Sequence, residues 1–414
     1  MSETSSPASG LSRTPKRFRR GTHRAVAPAR TLERVRPILR DVGVTRVANV
    51  TGLDRIGIPV VAVIRPNARS LAVAQGKGLD LDAARASGVM EAIEGFHAET
   101  AALPLRLARE DEVAAPGQRV PLAALPRLSG TRIDPARRLL WVEGRDLMHG
   151  CACWVPFETV HTDYTLPPVG ASGCLVASSN GLASGNHLAE AIAHGLAEVI
   201  ERDALTLWNA RSERAIAATR VDLDAVACPD CAMLLRRLRD ARMAVAAWDV
   251  ASDVGLPAYY CLIVDELSAS GHSGAGAGCH PDAAIALARA ITEAAQVRLT
   301  YIAGARDDLL PGEYAAEART EKTERARRLM ALPDGGRRRV VPAPSGPGAE
   351  TFEEELDAVL ERLAGVGVER VVCVDLTKPE IGLPVARLVV TGLEGPDDHA
   401  DYAPGARALA RADA

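Results

Sequence analysis

One pattern occurs three times along this 414-residue chain and limits what it can fold into. Val42-Gly43-Val44-Thr45-Arg46-Val47 leads through a short loop to Ile56-Gly57-Ile58-Pro59-Val60. Val366-Gly367-Val368-Glu369-Arg370-Val371 leads to Ile381-Gly382-Leu383-Pro384-Val385, with one more residue in between. Met243-Ala244-Val245 leads in the same way to Val254-Gly255-Leu256-Pro257-Ala258. A helical pattern precedes each copy, at 31–41, 231–241 and 351–364. The β-branched runs argue for strands, and Gly-x-Pro marks the turn into the second strand. Proline at the start of a strand removes no ladder donor. Each copy reads as helix, strand, turn, strand, so the expected fold class is α/β, a layered α+β arrangement with three internal repeats.

A second element recurs with it. Gly78 opens a loop into a helix carrying Glu91-Ala92-Ile93-Glu94, and Gly185 opens one carrying Glu198-Val199-Ile200-Glu201; 13 positions separate glycine from first glutamate in both. The glycine-rich segment Gly274 to Gly278 precedes a helix carrying Glu293-Ala294-Ala295-Gln296. At about 100° per residue, Glu190, His194, Glu198 and Glu201 share one arc opposite Ile192, Leu196, Val199 and Ile200. Ser87, Glu91 and Glu94 cluster likewise. Stacked like charges repel unless something neutralises them. Glycine-rich loops and helix N-termini suit phosphate, and carboxylates beside them suit Mg²⁺ bridging protein oxygens to a nucleotide. Asn186, Ser87, Arg202 and Arg289 stand where they could contact the phosphates. His194 is a candidate base by position.

Other chemistries find no support. Gln75-Gly76-Lys77-Gly78 lacks the hydroxyl residue and the upstream glycine of a P-loop. Cys279 stands where a dinucleotide fingerprint needs its third glycine. There is no GxSxG and no HExxH. Aromatic residues are 3% of the chain and net charge is −4, which argues against nucleic-acid binding. No apolar run would span a membrane. The eight cysteines, including Cys151/Cys153 and Cys228/Cys231, show no zinc-site spacing and read as reduced residues of a cytoplasmic protein. Arg19-Arg20 has no apolar segment after it and is not read as an export signal. Residues 1–18 are expected to be a disordered basic tail, 19–395 the catalytic domain, 312–350 a charged surface insertion within it, and 396–414 a flexible tail.

Ser179-Asn180-Gly181-Leu182-Ala183-Ser184-Gly185-Asn186, then Glu190, then Glu198-Val199-Ile200-Glu201-Arg202-Asp203, closely resembles the signature of the YcaO family. Gln75-Gly76-Lys77-Gly78 with Ser87, Glu91 and Glu94 is similar to its earlier motif. Arg289 to Arg298 and Gly304-Ala305-Arg306-Asp307-Asp308 are similar to its later ones. The resemblance covers roughly residues 20–392.

The resemblance implies ATP and Mg²⁺ as cofactors and a YcaO-type fold around a central nucleotide site. It implies phosphorylation of a peptide backbone amide oxygen, followed by attack of a nucleophile on the activated carbon. On its pattern Glu91, Glu94, Glu190, Glu198 and Glu201 form the metal set. Arg24, Ser87, Asn186, Arg202, Arg289 and Gln296 form the nucleotide contacts. Arg20-Gly21-Thr22-His23-Arg24 and Thr51-Gly52-Leu53-Asp54-Arg55-Ile56-Gly57 resemble the subgroup that works with a TfuA-like partner in thioamide formation. Azoline-forming members often end in a Pro-x-Pro-x-Pro tail, whereas this chain ends Arg407-Ala408-Leu409-Ala410-Arg411-Ala412-Asp413-Ala414. The expected partners are therefore a TfuA-like protein, a precursor peptide or protein, a sulfide donor and a second copy in a homodimer. The alternatives are an azoline- or amidine-forming enzyme and a non-catalytic nucleotide-binding accessory protein.

Overall fold

The structure is a computed structural model that describes residues 13–115, 117–166, 170–268, 271–342, 348–395 and 401–412. Helix α1 (Pro28–Val35) leads into an antiparallel sheet of β1 (Arg46–Asn49), β2 (Val60–Ile64) and β3 (Val73–Lys77). Helix α2 (Leu81–Glu99) follows, capped at its first turn by Asp80, whose carboxylate accepts from the Ala83 amide. Next come β4 (Leu105–Ala108), the short α3 (Glu110–Val113), β5 (Arg127–Leu128), β6 (Leu139–Asp146), β7 (Cys151–Pro156) and β8 (Leu182–Ser184). Then α4 (Leu188–Asn209), α5 (Glu213–Ala217) and α6 (Pro229–Asp240) lead to a second antiparallel sheet of β9 (Met243–Asp249), β10 (Ala258–Asp265) and β11 (Gly274–Cys279). Helix α7 (Ala283–Ala303) lies on that sheet. After α8 (Ala316–Met330) and α9 (Phe352–Gly365) come β12 (Val371–Asp375), β13 (Val385–Val390), β14 (Tyr402–Ala403) and α10 (Ala406–Ala412).

Two of the sheets follow one plan: helix, three antiparallel strands, helix. The six-stranded sheet contains the same plan in two separated pieces. Helix α9, β12 and β13 come late in the chain, while the third strand β8 and its helix α4 come earlier. The strand after each helix–strand–turn–strand stretch is the part that glycine disguised in the sequence. Gly274, Gly276 and Gly278 are not a loop; they lie in β11, facing α7. A Cβ on Gly274 or Gly278 would run into the backbone carbonyls of Ala294 and Ala286. Gly76 in β3 has the same role against Ala84 and Gly88 of α2. The missing side chains let helix and strand approach closely.

Gly43 (φ 79°) and Gly367 (φ 83°) hold the turn from helix to strand in the left-handed region. At the matching place before β9 stands Arg242 (φ 54°), the one non-glycine residue with positive φ among the described residues.

The core is built from Ala, Val, Leu and Ile, with Trp141, Trp208 and Trp248 fully buried. Each large side chain taken from water contributes about 2–3 kcal/mol. No helix among the described residues is long and apolar enough to cross a membrane.

Both ends differ from their expected disorder. Residues 1–12 lie outside the described residues. Thr14 and Lys16 are buried: the Thr14 amide donates to Glu353 (2.7 Å) and the Lys16 ammonium to Glu355 (2.5 Å) in the first turn of α9. A basic segment that looks solvated in isolation has found an acidic helix N-terminus, and residues 13–24 form a strap that pairs with Thr351 and folds back where Phe18 and Arg24 exchange both backbone hydrogen bonds. At the other end, 396–400, 413 and 414 lie outside the described residues. Between them β14 pairs with β5, and Arg407 of α10 donates to Asp203 of α4 at 2.9 Å. Buried Asp203 needs a cation, and the C-terminal segment brings one. The stretch 312–350 carries α8, whose Thr323 hydroxyl donates to the Gly271 carbonyl.

Candidate active site

The long helices α2, α4 and α7 each lie on their own sheet and turn one polar stripe toward a common cleft of about 760 Å³. Helix α2 brings Ser87, Glu91 and Glu94; α4 brings His194, Glu198, Glu201 and Arg202; α7 brings Arg289, Glu293 and Gln296. Lys77 at the end of β3, Arg24 on the strap and Arg306 beyond α7 also face it.

Five carboxylates form a closed ring of mutual repulsion. Glu94 is opposed by Glu91 and Glu198, Glu198 by Glu201, Glu201 by Glu293, and Glu91 by Glu293. Burial pushes Glu94 up to about 8, although Ser184 donates both its amide (2.8 Å) and its hydroxyl (2.7 Å) to Glu94 Oε1. Burial likewise pushes Glu198 up to about 7, against the pull of Arg202. Glu91 and Glu201 are raised for the same reason. Burial also works against the charged form of Glu293, but Lys77 and Arg202 outweigh it and hold that carboxyl below its usual range. The Lys77 ammonium stands 2.5 Å from Glu293 Oε2. A buried set of like charges is costly unless a cation joins it.

His194 is set among cations. Arg289 Nη2 lies 3.0 Å from His194 Nε2. Burial, then Arg289, Arg24 and Lys77, drive its pKa well below the ordinary value. A neutral imidazole whose Nε2 accepts from an arginine holds that arginine in place and is poorly suited to take a proton. This geometry argues against the base expected from its position.

Glu190 and Asn186 lie outside the cleft's lining. Glu190 Oε2 accepts from the amides of Ala25 (3.1 Å) and Asn186 (3.2 Å), and its Oε1 is 3.6 Å from Arg24. The Asn186 side-chain oxygen accepts from Thr31 at 3.2 Å, and its carbonyl accepts from Arg34 at 2.8 Å. Glu190 fastens the end of the strap and so places Arg24, while Asn186 joins Glu190 to α1. The helical arc put Glu190 beside Glu201, but it could not show that a distant strap covers the first turn of α4.

Sequence reasoning left Lys77, Glu293 and Arg306 out of the site. Glu293 was findable, since it follows His280 by the same 13 positions that separate Gly78 from Glu91 and Gly185 from Glu198. Two residues that line the cleft each have a buried polar atom without a hydrogen-bond partner, Thr162 Oγ1 and Gln296 Oε1, and Arg387 Nη1 is a further such atom away from the lining. Arg387 gives its other N–H groups to the carbonyls of Thr159 (2.8 Å) and Ser178 (2.6 Å). Buried donors of this kind are normally satisfied.

His23, His280 and Glu355 also place ligand atoms within 4.8 Å of one another. Lys16 already covers Glu355, and His280 Nδ1 accepts from the Asp282 amide at 2.9 Å. That tautomer keeps the proton on Nε2, so the trio does not offer a metal three free lone pairs.

A family model described as YcaO cyclodehydratase, ATP- and Mg²⁺-binding, matches residues 75–394. An uncharacterized protein of the tfuA 3′ region of Rhizobium leguminosarum bv. trifolii is 36% identical over 381 residues, 90% of this chain and 88% of its own length. An uncharacterized protein of Methanothermobacter thermautotrophicus is 35% identical over 376 residues, 89% of this chain and 94% of its own. Among solved structures, YcaO from Methanopyrus kandleri bound with AMPPCP and Mg²⁺ is similar with a TM-score of 0.72 and 26% identity, covering 95% of this chain and 98% of that one. A heterocyclase in complex with substrate and cofactor shares the fold with a TM-score of 0.76 at 23% identity. That match covers 93% of this chain, which spans 54% of the heterocyclase.

Proposed function

The chain belongs to the YcaO family, and from that premise we propose that it activates a peptide backbone amide with ATP and Mg²⁺ and directs sulfur to the activated carbon, leaving a thioamide in a ribosomally made peptide or protein. ATP and Mg²⁺ are the family's ligands, and the residues of the cleft fit them. Five mutually repelling carboxylates lining one cleft are the hard oxygen donors that Mg²⁺ prefers. That ring is the observation that carries the reading.

ATP supplies the phosphoryl group that makes an amide oxygen a leaving group, and Mg²⁺ offsets the charge in transfer. Glu91, Glu94, Glu198, Glu201 and Glu293 would hold the metal. Arg202, Arg289, Arg306 and the Ser87 hydroxyl would face phosphate oxygens. His194 keeps Arg289 aimed, Ser184 orients Glu94, and Glu190 secures Arg24. No side chain of the protein need become a covalent nucleophile.

The sulfur step and a TfuA-like partner are supported by the relative from the tfuA 3′ region. The likeness to a heterocyclase favours a second reading, ring closure by a neighbouring side chain to give an azoline. Intact-mass analysis of candidate precursor peptides, incubated with the protein, Mg·ATP, sulfide and a TfuA-like protein, separates them. Exchange of one oxygen for one sulfur, dependent on both ATP and sulfide, is the expected result. Loss of one water without sulfide would assign ring closure instead.

A further inference from the structure

Both oxygens of Glu293 are already engaged. Oε2 has the Lys77 ammonium at 2.5 Å, and Oε1 has the Ala277 amide at 3.3 Å. Lys77 is the last residue of β3, so its stem starts from a fixed strand end, and its charge also opposes the penalty of burial at Glu91 and Glu201. Mg²⁺ needs carboxylate oxygens at about 2.0–2.1 Å in octahedral geometry. An ammonium on Oε2 keeps a dication away from that oxygen by both distance and charge.

We propose that Lys77 is the resident cation of the carboxylate ring and must trade Glu293 for a phosphate oxygen before Glu293 can take a metal. This inference rests on the Mg·ATP reading of the cleft. Lysine suits the exchange, because it is a compact charge on a flexible four-carbon stem. Metal arriving alone must break the Lys77–Glu293 pair and sets a dication beside an ammonium that has gained no new anion. Metal arriving with a nucleotide offers that ammonium a new anion in the same event. The ring therefore discriminates between free Mg²⁺ and the Mg·nucleotide complex.

The test is calorimetric titration of the full chain with Mg²⁺ alone, with a non-hydrolysable ATP analogue alone, and with both. The parent protein should bind Mg²⁺ at least about tenfold more tightly when the analogue is present, the size of coupling common between linked sites. Lys77→Met should bind Mg²⁺ alone about tenfold more tightly than the parent, bind the analogue more weakly, and lose most of the coupling. Lys77→Arg should keep the parent's order of affinities. A folded Lys77→Met protein with unchanged affinity for Mg²⁺ alone would overturn the proposal; Lys77→Gln serves if the methionine disturbs folding. A parent that binds neither Mg²⁺ nor the analogue would overturn the reading of the cleft itself, and the proposal with it.

Discussion

Ser184 gives its amide and its hydroxyl to one oxygen of Glu94, and the carboxyl still titrates near 8, because burial and the neighbouring glutamates outweigh both hydrogen bonds. Glu94 is therefore mostly protonated at neutral pH in the metal-free protein. Two effects of pH follow, with opposite signs. The unfolded chain loses the Glu94 and Glu198 protons near 4.5, whereas the folded chain keeps them until about 8 and about 7. Between those limits the unfolded state binds fewer protons, so stability falls as pH rises. Urea denaturation without metal should show a midpoint that declines from about pH 5 to about pH 8 and then levels off. Glu94→Gln should flatten that decline. Metal binding needs the deprotonated ring, so affinity for Mg²⁺ with nucleotide should rise over the same interval, and calorimetry in buffers of different ionisation heat should detect proton release.

Glu198 and Glu190 lie on one helix but should fail differently. Glu198→Ala removes a carboxylate of the ring and should abolish Mg²⁺-dependent nucleotide binding. Glu190→Gln loosens only the strap that places Arg24, and should weaken binding by about 10–100-fold, as supporting residues of metal sites do. Equal losses in the two variants, read by titration with an ATP analogue, would return Glu190 to the metal set.

Arg242 occupies a left-handed position that glycine fills before β1 and β12. Arg242→Gly should raise stability by about 0.5–1 kcal/mol, the relief of strain less the entropy of glycine. The exposed contact between Arg242 and Glu266 contributes little to offset it. A lower unfolding midpoint for the variant would refute this.

Asp203 is fully buried beneath Arg407. Arg407→Ala should cost about 3–5 kcal/mol, because it strands a carboxylate in the interior. Asp203→Asn added to it should recover much of that loss. Differential scanning calorimetry of the two variants would read both effects.

How much of this was legible depended on whether the signal was local. Glu91, Glu94, Glu198 and Glu201 could be grouped from sequence because helical spacing is local and the 13-residue intervals match, and the structure brings them to one cleft. Strand β11 was hidden because alternation cannot be seen when the inward residues are glycines; their purpose becomes visible only against α7. The covering of Glu190 by the end of the strap was hidden because a helix arc does not reveal what packs over it from 165 residues away. Lys16 and Arg407 looked like tail residues because their buried partners, Glu355 and Asp203, are remote in sequence. Helix type and motif spacing were thus readable from short windows, and long-range ion pairs were not.

The sheet under α4 is completed by a strand that lies far downstream in the chain. Glu198 and Glu201 leave the exit tunnel on a helix whose floor, β13, is still about 180 codons from being translated. Until Val385–Val390 arrives to pair with Leu182–Ser184, that stripe of glutamates has no sheet behind it. The carboxylate ring can therefore close only once β13 has been made. A chain that stops short of β13 would have two complete sheet-and-helix units and an α4 with no sheet behind its glutamates.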